Sequence, residues 1–158
     1  MKEKTACFTG HRNIQNEELE RLTQALEETV NGLIGQGVTR FLSGGATGFD
    51  TMAALAVLSA KENTQAVKLC MAIPCANQDE RWKTTEKETY KRLLESADEV
   101  IYVSDKPYFK GCMEQRNLYL IENSAVCVAY MKHGRSGTSQ TVRFAREHGL
   151  DIINLAEK

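Results

Sequence analysis

Between Phe41 and Ala60 the chain passes from a short apolar run, Phe41-Leu42-Ser43, through Gly44-Gly45-Ala46-Thr47-Gly48, into the apolar stretch Thr51–Ala60. A strand, a glycine turn and a helix that is apolar around most of its circumference form a unit whose elements all need covering. That requirement points to a parallel sheet layered with helices. Glycine reaches positive φ and lets backbone N–H groups approach a ligand with no Cβ in the way. The following helix start adds unpaired N–H groups and a positive dipole end, so the turn is a candidate phosphate or nucleotide site. It carries neither G-x-G-x-x-G nor the Gly-Lys-Ser/Thr of a P-loop, and similar turns also serve as plain connectors.

The rest of the chain repeats the alternation. Thr5–Phe8 reads as a strand ending at Thr9-Gly10-His11-Arg12. Asn16 is placed to cap a helix whose Leu19, Leu22, Leu26, Val30 and Leu33 recur every three or four residues, with Gly35 and Gly37 as its stop. Arg40–Ser43 and Val67–Ile73 are strands, Asp79 to Glu95 is helical, and Glu99–Val103 is a fourth strand. Met113–Glu122 forms a short helix. Ala125–Tyr130 is apolar throughout, the mark of a strand buried on both faces. The loop His133-Gly134-Arg135-Ser136-Gly137-Thr138 leads into a helix ended by Gly149, and Ile152–Leu155 is the last strand. The expected fold is α/β: a doubly wound, mostly parallel sheet of about six strands with helices on both faces. In such sheets ligands lie beyond the carboxyl ends of the strands, where the strand order reverses. The glycine-bearing and polar loops after strands one, two, four and five converge on that edge.

With 158 residues, 42% hydrophobic and 26% charged, the chain is long enough for one domain with a sizeable core, taken as 1–158. A net charge of −1 gives no general electrostatic footprint for nucleic acid, which makes nucleic acid an unlikely partner. No apolar run reaches the roughly 18 residues of a membrane span, and no signal-like segment opens the chain, so a cytoplasmic location is expected. The five cysteines, Cys7, Cys70, Cys75, Cys112 and Cys127, show no metal-ligand spacing, and no metal is expected. Cys75 and Cys112 fall in expected loops, where a thiol is open to reaction, but the stronger reading is that both are incidental thiols. An apolar helix face is compatible with a homo-oligomer.

Several motifs then fall into one series: Thr9-Gly10-His11-Arg12, Ser43 to Asp50, Pro74 with Gln78 and Trp82, Tyr108, Met113, Arg116-Asn117 and Gly137-Thr138. Their order and spacing resemble the YpsA-like family, within the SLOG superfamily of Rossmann-like domains that includes Smf/DprA and Lonely Guy type proteins. The resemblance runs nearly the full chain. It implies binding of a nucleotide derivative, such as an ADP-ribose-like molecule, at the strand edge. The chain departs from the pattern at Glu122 and Ser124-Ala125, where relatives carry an Asp and a Ser-Asp pair, and at Ser136, where they carry a third glycine.

The expected ligand set is Gly10, His11, Arg12, Ser43, Gly44, Gly45, Ala46, Thr47, Gly48, Asp50, Gln78, Trp82, Tyr108, Arg116, Asn117, Ser136, Gly137 and Thr138. Arg12 suits a bidentate phosphate contact or a surface ion pair. His11 serves as a donor to a ligand or to its own turn. Asp50 suits ribose hydroxyls or the loop itself, since it would repel a phosphate. Arg116-Asn117 reads as a phosphate and base contact or as a buried network joining loops. Trp82 and Tyr108 offer stacking faces. Gly137-Thr138 opens a second helix N-terminus. A hydrolase of the Lonely Guy kind needs a glutamate where this chain has Thr141, leaving Glu114 or Asp50 as substitutes; catalytic residues are therefore not assigned. Three functions stand: a binder or sensor of a nucleotide derivative, a nucleotide hydrolase or transferase, and a single-stranded DNA-binding protein.

Overall fold

The computed structural model describes residues 2–132 and 136–157. His133, Gly134 and Arg135 of the loop singled out above lie outside the described residues. Strands and helices alternate: β1 Thr5–Gly10, α1 Asn16–Gly35, β2 Arg40–Ser43, α2 Phe49–Lys61, β3 Lys68–Ile73, α3 Thr84–Ser96, β4 Glu99–Tyr102, α4 Cys112–Glu122, β5 Val126–Tyr130, α5 Gly137–Glu147 and β6 Asp151–Asn154. The six strands run in the order β4-β3-β2-β1-β5-β6, and every pairing among them is parallel. This is the doubly wound sheet expected, without an antiparallel member. The chain walks outward from β1 to β4, then returns past β1 to begin β5. The reversal leaves a crevice between the carboxyl ends of β1 and β5.

Period-two alternation divides the core between the two faces. Ala6 and Phe8 of β1 pack with Leu22, Leu26 and Val30 of α1, Ala53 and Val57 of α2 and Leu93 of α3. Cys7, one residue between them, faces the other way, with Leu42, Cys70, Ala72 and Cys127 against Leu120 and Ile121 of α4 and Ala145 of α5. Leu22, Leu26 and Val30 are fully buried, each stabilising by about 1.5–3 kcal/mol relative to exposure. Leu19 and Leu55, expected on apolar faces, are exposed.

Local details depart from the sequence expectation. Asn16 is the first residue of α1 rather than its cap; Gln15 holds the cap position in extended backbone, without a side-chain cap bond. Residues 79–82 form turns, and α3 begins only at Thr84, where Glu86 accepts from the Lys83 N–H at 3.0 Å. Cys75 and Cys112 are fully buried, and Cys112 opens α4 instead of lying in a loop. Burial pushes the Cys75 thiol up, which disfavours the reactive thiolate. No helix among the described residues is long and apolar enough to cross a membrane.

One ion pair fastens α1 to the segment after β5: Lys132 Nζ donates to Glu18 Oε2. That hydrogen bond pulls the Glu18 carboxyl from 4.5 down to about 2. A depressed carboxylate contributes stability above its ordinary value and loses it as pH falls through its folded value. Urea midpoints measured across pH should therefore decline between about 4.5 and 2, and Glu18→Gln should flatten that limb. An unchanged limb would show that the pair contributes nothing.

Candidate functional site

Because the strands are all parallel, each strand-to-helix turn falls on the same edge of the sheet, and two cavities open there. The first, of about 290 Å³, lies over the β1/β5 crevice. It is lined by Phe8, Thr9, Gly10, His11 and Arg12 from β1 and its exit, Ala46 and Asp50, Met113, Arg116 and Asn117 of α4, and Ser136, Gly137 and Thr138 at the start of α5. The second, of about 390 Å³, is lined by Arg12, Cys75, Asn77, Gln78, Glu80, Arg81, Trp82, Tyr108 and Met113. Arg12 and Met113 line both cavities, with Arg12 Nη2 at 3.9 Å from Met113 Sδ, so this pair forms the partition. Arg12 also borders a wider groove of about 560 Å³ with Asn16, Thr47, Gly48 and Lys83 at the starts of α1, α2 and α3.

The glycine turn is knotted upon itself. Ser43 Oγ donates to the Asp50 carbonyl at 3.1 Å and accepts from the Gly45 N–H at 3.2 Å. Asp50 Oδ2 accepts from the Ala46 N–H at 3.2 Å, and Thr51 Oγ1 donates to the Ala46 carbonyl at 2.9 Å. The Phe49 N–H donates to the His11 carbonyl at 3.1 Å, tying the turn to the exit of β1. The place an anion would take in this turn is thus held by a carboxylate of the chain itself. Burial raises the Asp50 carboxyl above its ordinary value, opposed by the Arg116 charge, the Ala46 N–H and the Arg12 charge. Ser43, Gly44 and Gly45 line none of these three cavities. A Cβ on Gly45, whose φ is +72°, would lie 3.0 Å from Met71 and 3.1 Å from Tyr90 in the core. A Gly45→Val substitution therefore perturbs packing rather than the opening.

Arg116 is 4% exposed and acts as a crosslink. Its Nη1 donates to the Gly44 carbonyl at 2.6 Å and the Ala72 carbonyl at 3.4 Å, joining the ends of β2 and β3 to α4. Its Nε donates to Asn117 Oδ1 at 2.9 Å. Arg12, by contrast, is exposed and has no carboxylate partner among the described residues. His11 Nε2 accepts from the Lys132 N–H at 3.1 Å, and its ring meets Tyr130 edge-on at 5.8 Å. Burial, then the Lys132 charge, hold His11 below its ordinary value, so at neutral pH the ring is uncharged with its proton on Nδ1. At α5, Ser136 Oγ accepts from the Ser139 N–H at 3.1 Å and Ser139 Oγ accepts from the Ser136 N–H at 2.9 Å. Gly137 and Thr138, in the first turn of α5 where N–H groups have no intrahelical acceptor, line the first cavity.

The expected site residues thus divide. Gly10, His11, Arg12, Ala46, Asp50, Arg116, Asn117 and Ser136 to Thr138 meet at the first cavity, whereas Gln78, Trp82 and Tyr108 line the second. Thr47 and Gly48 turn to the outer groove. Sequence reasoning passed over Asn77 and Arg81, although both follow Pro74 at the carboxyl end of β3, and Cys75, which was set aside as an incidental thiol. Thr141, at the position of the hydrolase glutamate, donates to the Gly137 carbonyl at 2.9 Å within α5. Asp50 is the one carboxylate among the residues lining the first cavity.

The chain as a whole is similar to several known proteins. A Bacillus subtilis protein, the uncharacterized SPbeta prophage-derived protein YoqJ, is 30% identical over 81% of this chain and 80% of its own length. A UPF0398 protein of Halalkalibacterium halodurans is 30% identical over 65% of the chain, which spans only 55% of that relative. Among solved structures, DNA processing protein A from Helicobacter pylori, described for its single-stranded DNA binding mode, superposes with a TM-score of 0.66 at 20% identity. The alignment covers 94% of this chain and 63% of that one. This corrects the expectation that nucleic acid is an unlikely partner: a chain of this fold binds single-stranded DNA, and a formal charge of −1 does not rule it out. Summed charge is silent about how charges are placed, and here Arg12 and Arg81 face a shared edge. The YspA SLOG family matches residues 7–148, and the chain belongs to that family.

Proposed function

We propose that the chain binds a nucleotide or nucleotide derivative, of the ADP-ribose or NAD kind, at the carboxyl edge of the sheet, with a phosphate in the first cavity. The observation that carries this reading is the meeting of Arg12, without a carboxylate partner among the described residues, and the first turn of α5 across one crevice. A guanidinium and a helix N-terminus both favour an anion, and both are in place before a ligand arrives. Arg12 and Arg116 outweigh Asp50 around this cavity, and Arg12 and Arg81 outweigh Glu80 around its neighbour.

Thermal unfolding with AMP, ADP-ribose and NAD tests the reading. A ligand at 100 times its dissociation constant adds about 2.7 kcal/mol. Arg12→Ala should weaken binding roughly tenfold to a hundredfold, the loss of one charge-assisted bond. Failure of every nucleotide to stabilise the protein would refute the proposal.

A second reading, single-stranded DNA, is favoured by the shared fold with DNA processing protein A. The groove that continues from Arg12 past Thr47 and Lys83 extends the same edge. Fluorescence anisotropy with a labelled oligonucleotide separates the two readings. A strand contacted at several phosphates loses affinity steeply with salt, whereas a mononucleotide does so weakly.

A further inference from the structure

Gln78 lies in the turn after β3, is 8% exposed, and lines the second cavity. Its Nε2 donates to the Gly44 carbonyl at 3.3 Å and to Tyr90 Oη at 3.1 Å. The Gly44 carbonyl settles which end of the amide is which, since the reverse placement would set oxygen against oxygen. Oε1 is then left buried without a hydrogen-bond partner among the described residues. A buried acceptor left unpaired is costly, so such groups ask for an occupant. The surroundings indicate its shape. Trp82 is half-buried and meets Tyr90 edge-on at 5.0 Å, while Tyr108 is 61% exposed at the rim. The Tyr108 N–H donates to Asn77 Oδ1 at 2.7 Å, which fastens the rim to the same turn.

We propose that the second cavity is the base subsite, in which a flat heteroaromatic ring enters beside Trp82 and Tyr108, the buried Gln78 amide turns towards it, and the ring gives an N–H to Gln78 Oε1. This rests on the nucleotide reading above and adds a specificity residue to it. A ring in this cavity and a phosphate in the first are joined across the Arg12–Met113 partition, so one nucleotide spans both. The ring must carry a hydrogen-bond donor, because a ring without one leaves Oε1 unpaired and more deeply covered. A site built to pair a donor rejects the analogue that lacks it far more strongly than an apolar pocket rejects a missing methylene.

Trp82 is the sole tryptophan, so its fluorescence reports this cavity directly. Titrations compare AMP, GMP and CMP with purine riboside 5′-monophosphate, whose ring has no N–H donor. The tightest of the three should quench Trp82 and bind at least about tenfold more strongly than the donor-free analogue, the effect of one unpaired buried acceptor. Gln78→Met, with its fold checked by circular dichroism, should bring the two affinities together. Equal affinities in the unaltered protein would overturn the base subsite while leaving the nucleotide reading intact, and that comparison needs no variant to fold. Binding without any change in Trp82 fluorescence would overturn it too. If no nucleotide binds at all, both readings fall together.

Discussion

Arg116→Leu is expected to lower stability by about 3–5 kcal/mol, the range found when one member of a buried charged network is removed. The guanidinium holds the Gly44 and Ala72 carbonyls and Asn117 at once, from a residue only 4% exposed. Leucine fills part of the volume but removes a donor from the Gly44 and Ala72 carbonyls, and it takes from Asp50 its largest favourable charge. With a urea slope of about 1–3 kcal/mol/M, the midpoint should fall by more than about 1 M. The pH dependence gives a second check. Asp50 is raised in the folded state, so its carboxyl disfavours folding increasingly as pH climbs through its folded value. Without Arg116 that penalty deepens, and the deficit should be larger at pH 8 than at pH 4. A loss under about 1 kcal/mol, independent of pH, would mean that the network is dispensable.

Gly48→Ala is expected to cost about 2–5 kcal/mol, combining left-handed backbone strain with a steric collision. Gly48 has φ +76°, and a Cβ there would lie 2.1 Å from the Arg12 carbonyl oxygen. Backbone cannot move aside as a flexible side chain does, so the exit of β1 must shift. At about 2–4 °C per kcal/mol for a chain of this size, the melting temperature should drop on the order of 10 °C. Arg12 is carried by the displaced segment, so nucleotide affinity should fall as well. A stable variant with full affinity would show that the two loops separate without consequence.

Much of the architecture was legible because it follows from patterning. Leu22, Leu26, Val30 and Leu33 at helical spacing, and the unbroken apolar run through Val126–Tyr130, have one economical solution: helices covering a parallel sheet. The failures were local. The expected helix began at Asp79, yet residues 79–82 form turns and α3 begins only at Thr84. Cys75 and Cys112 looked exposed because they adjoin loop residues, although the packing of the β3 exit against α4 buries both.

By itself the sequence determined the alternation of elements, the edge on which their loops gather, and the residues found there. Apolar periodicity and glycine placement act over a few neighbouring positions, and they can be read without knowing the fold. Only the tertiary structure decided the division of labour along that edge. Arg116 turns inward to backbone carbonyls while Arg12 stays open between two cavities, and Asp50 takes up the N–H group that the Ser43–Asp50 turn was expected to offer an anion. Gln78 and Trp82, expected in one ligand set with the glycine turn, line the neighbouring cavity. These assignments depend on which groups from distant segments meet, and on how burial reverses the preference of a charge for water. Those are properties of the packed chain, and no local stretch of residues carries them.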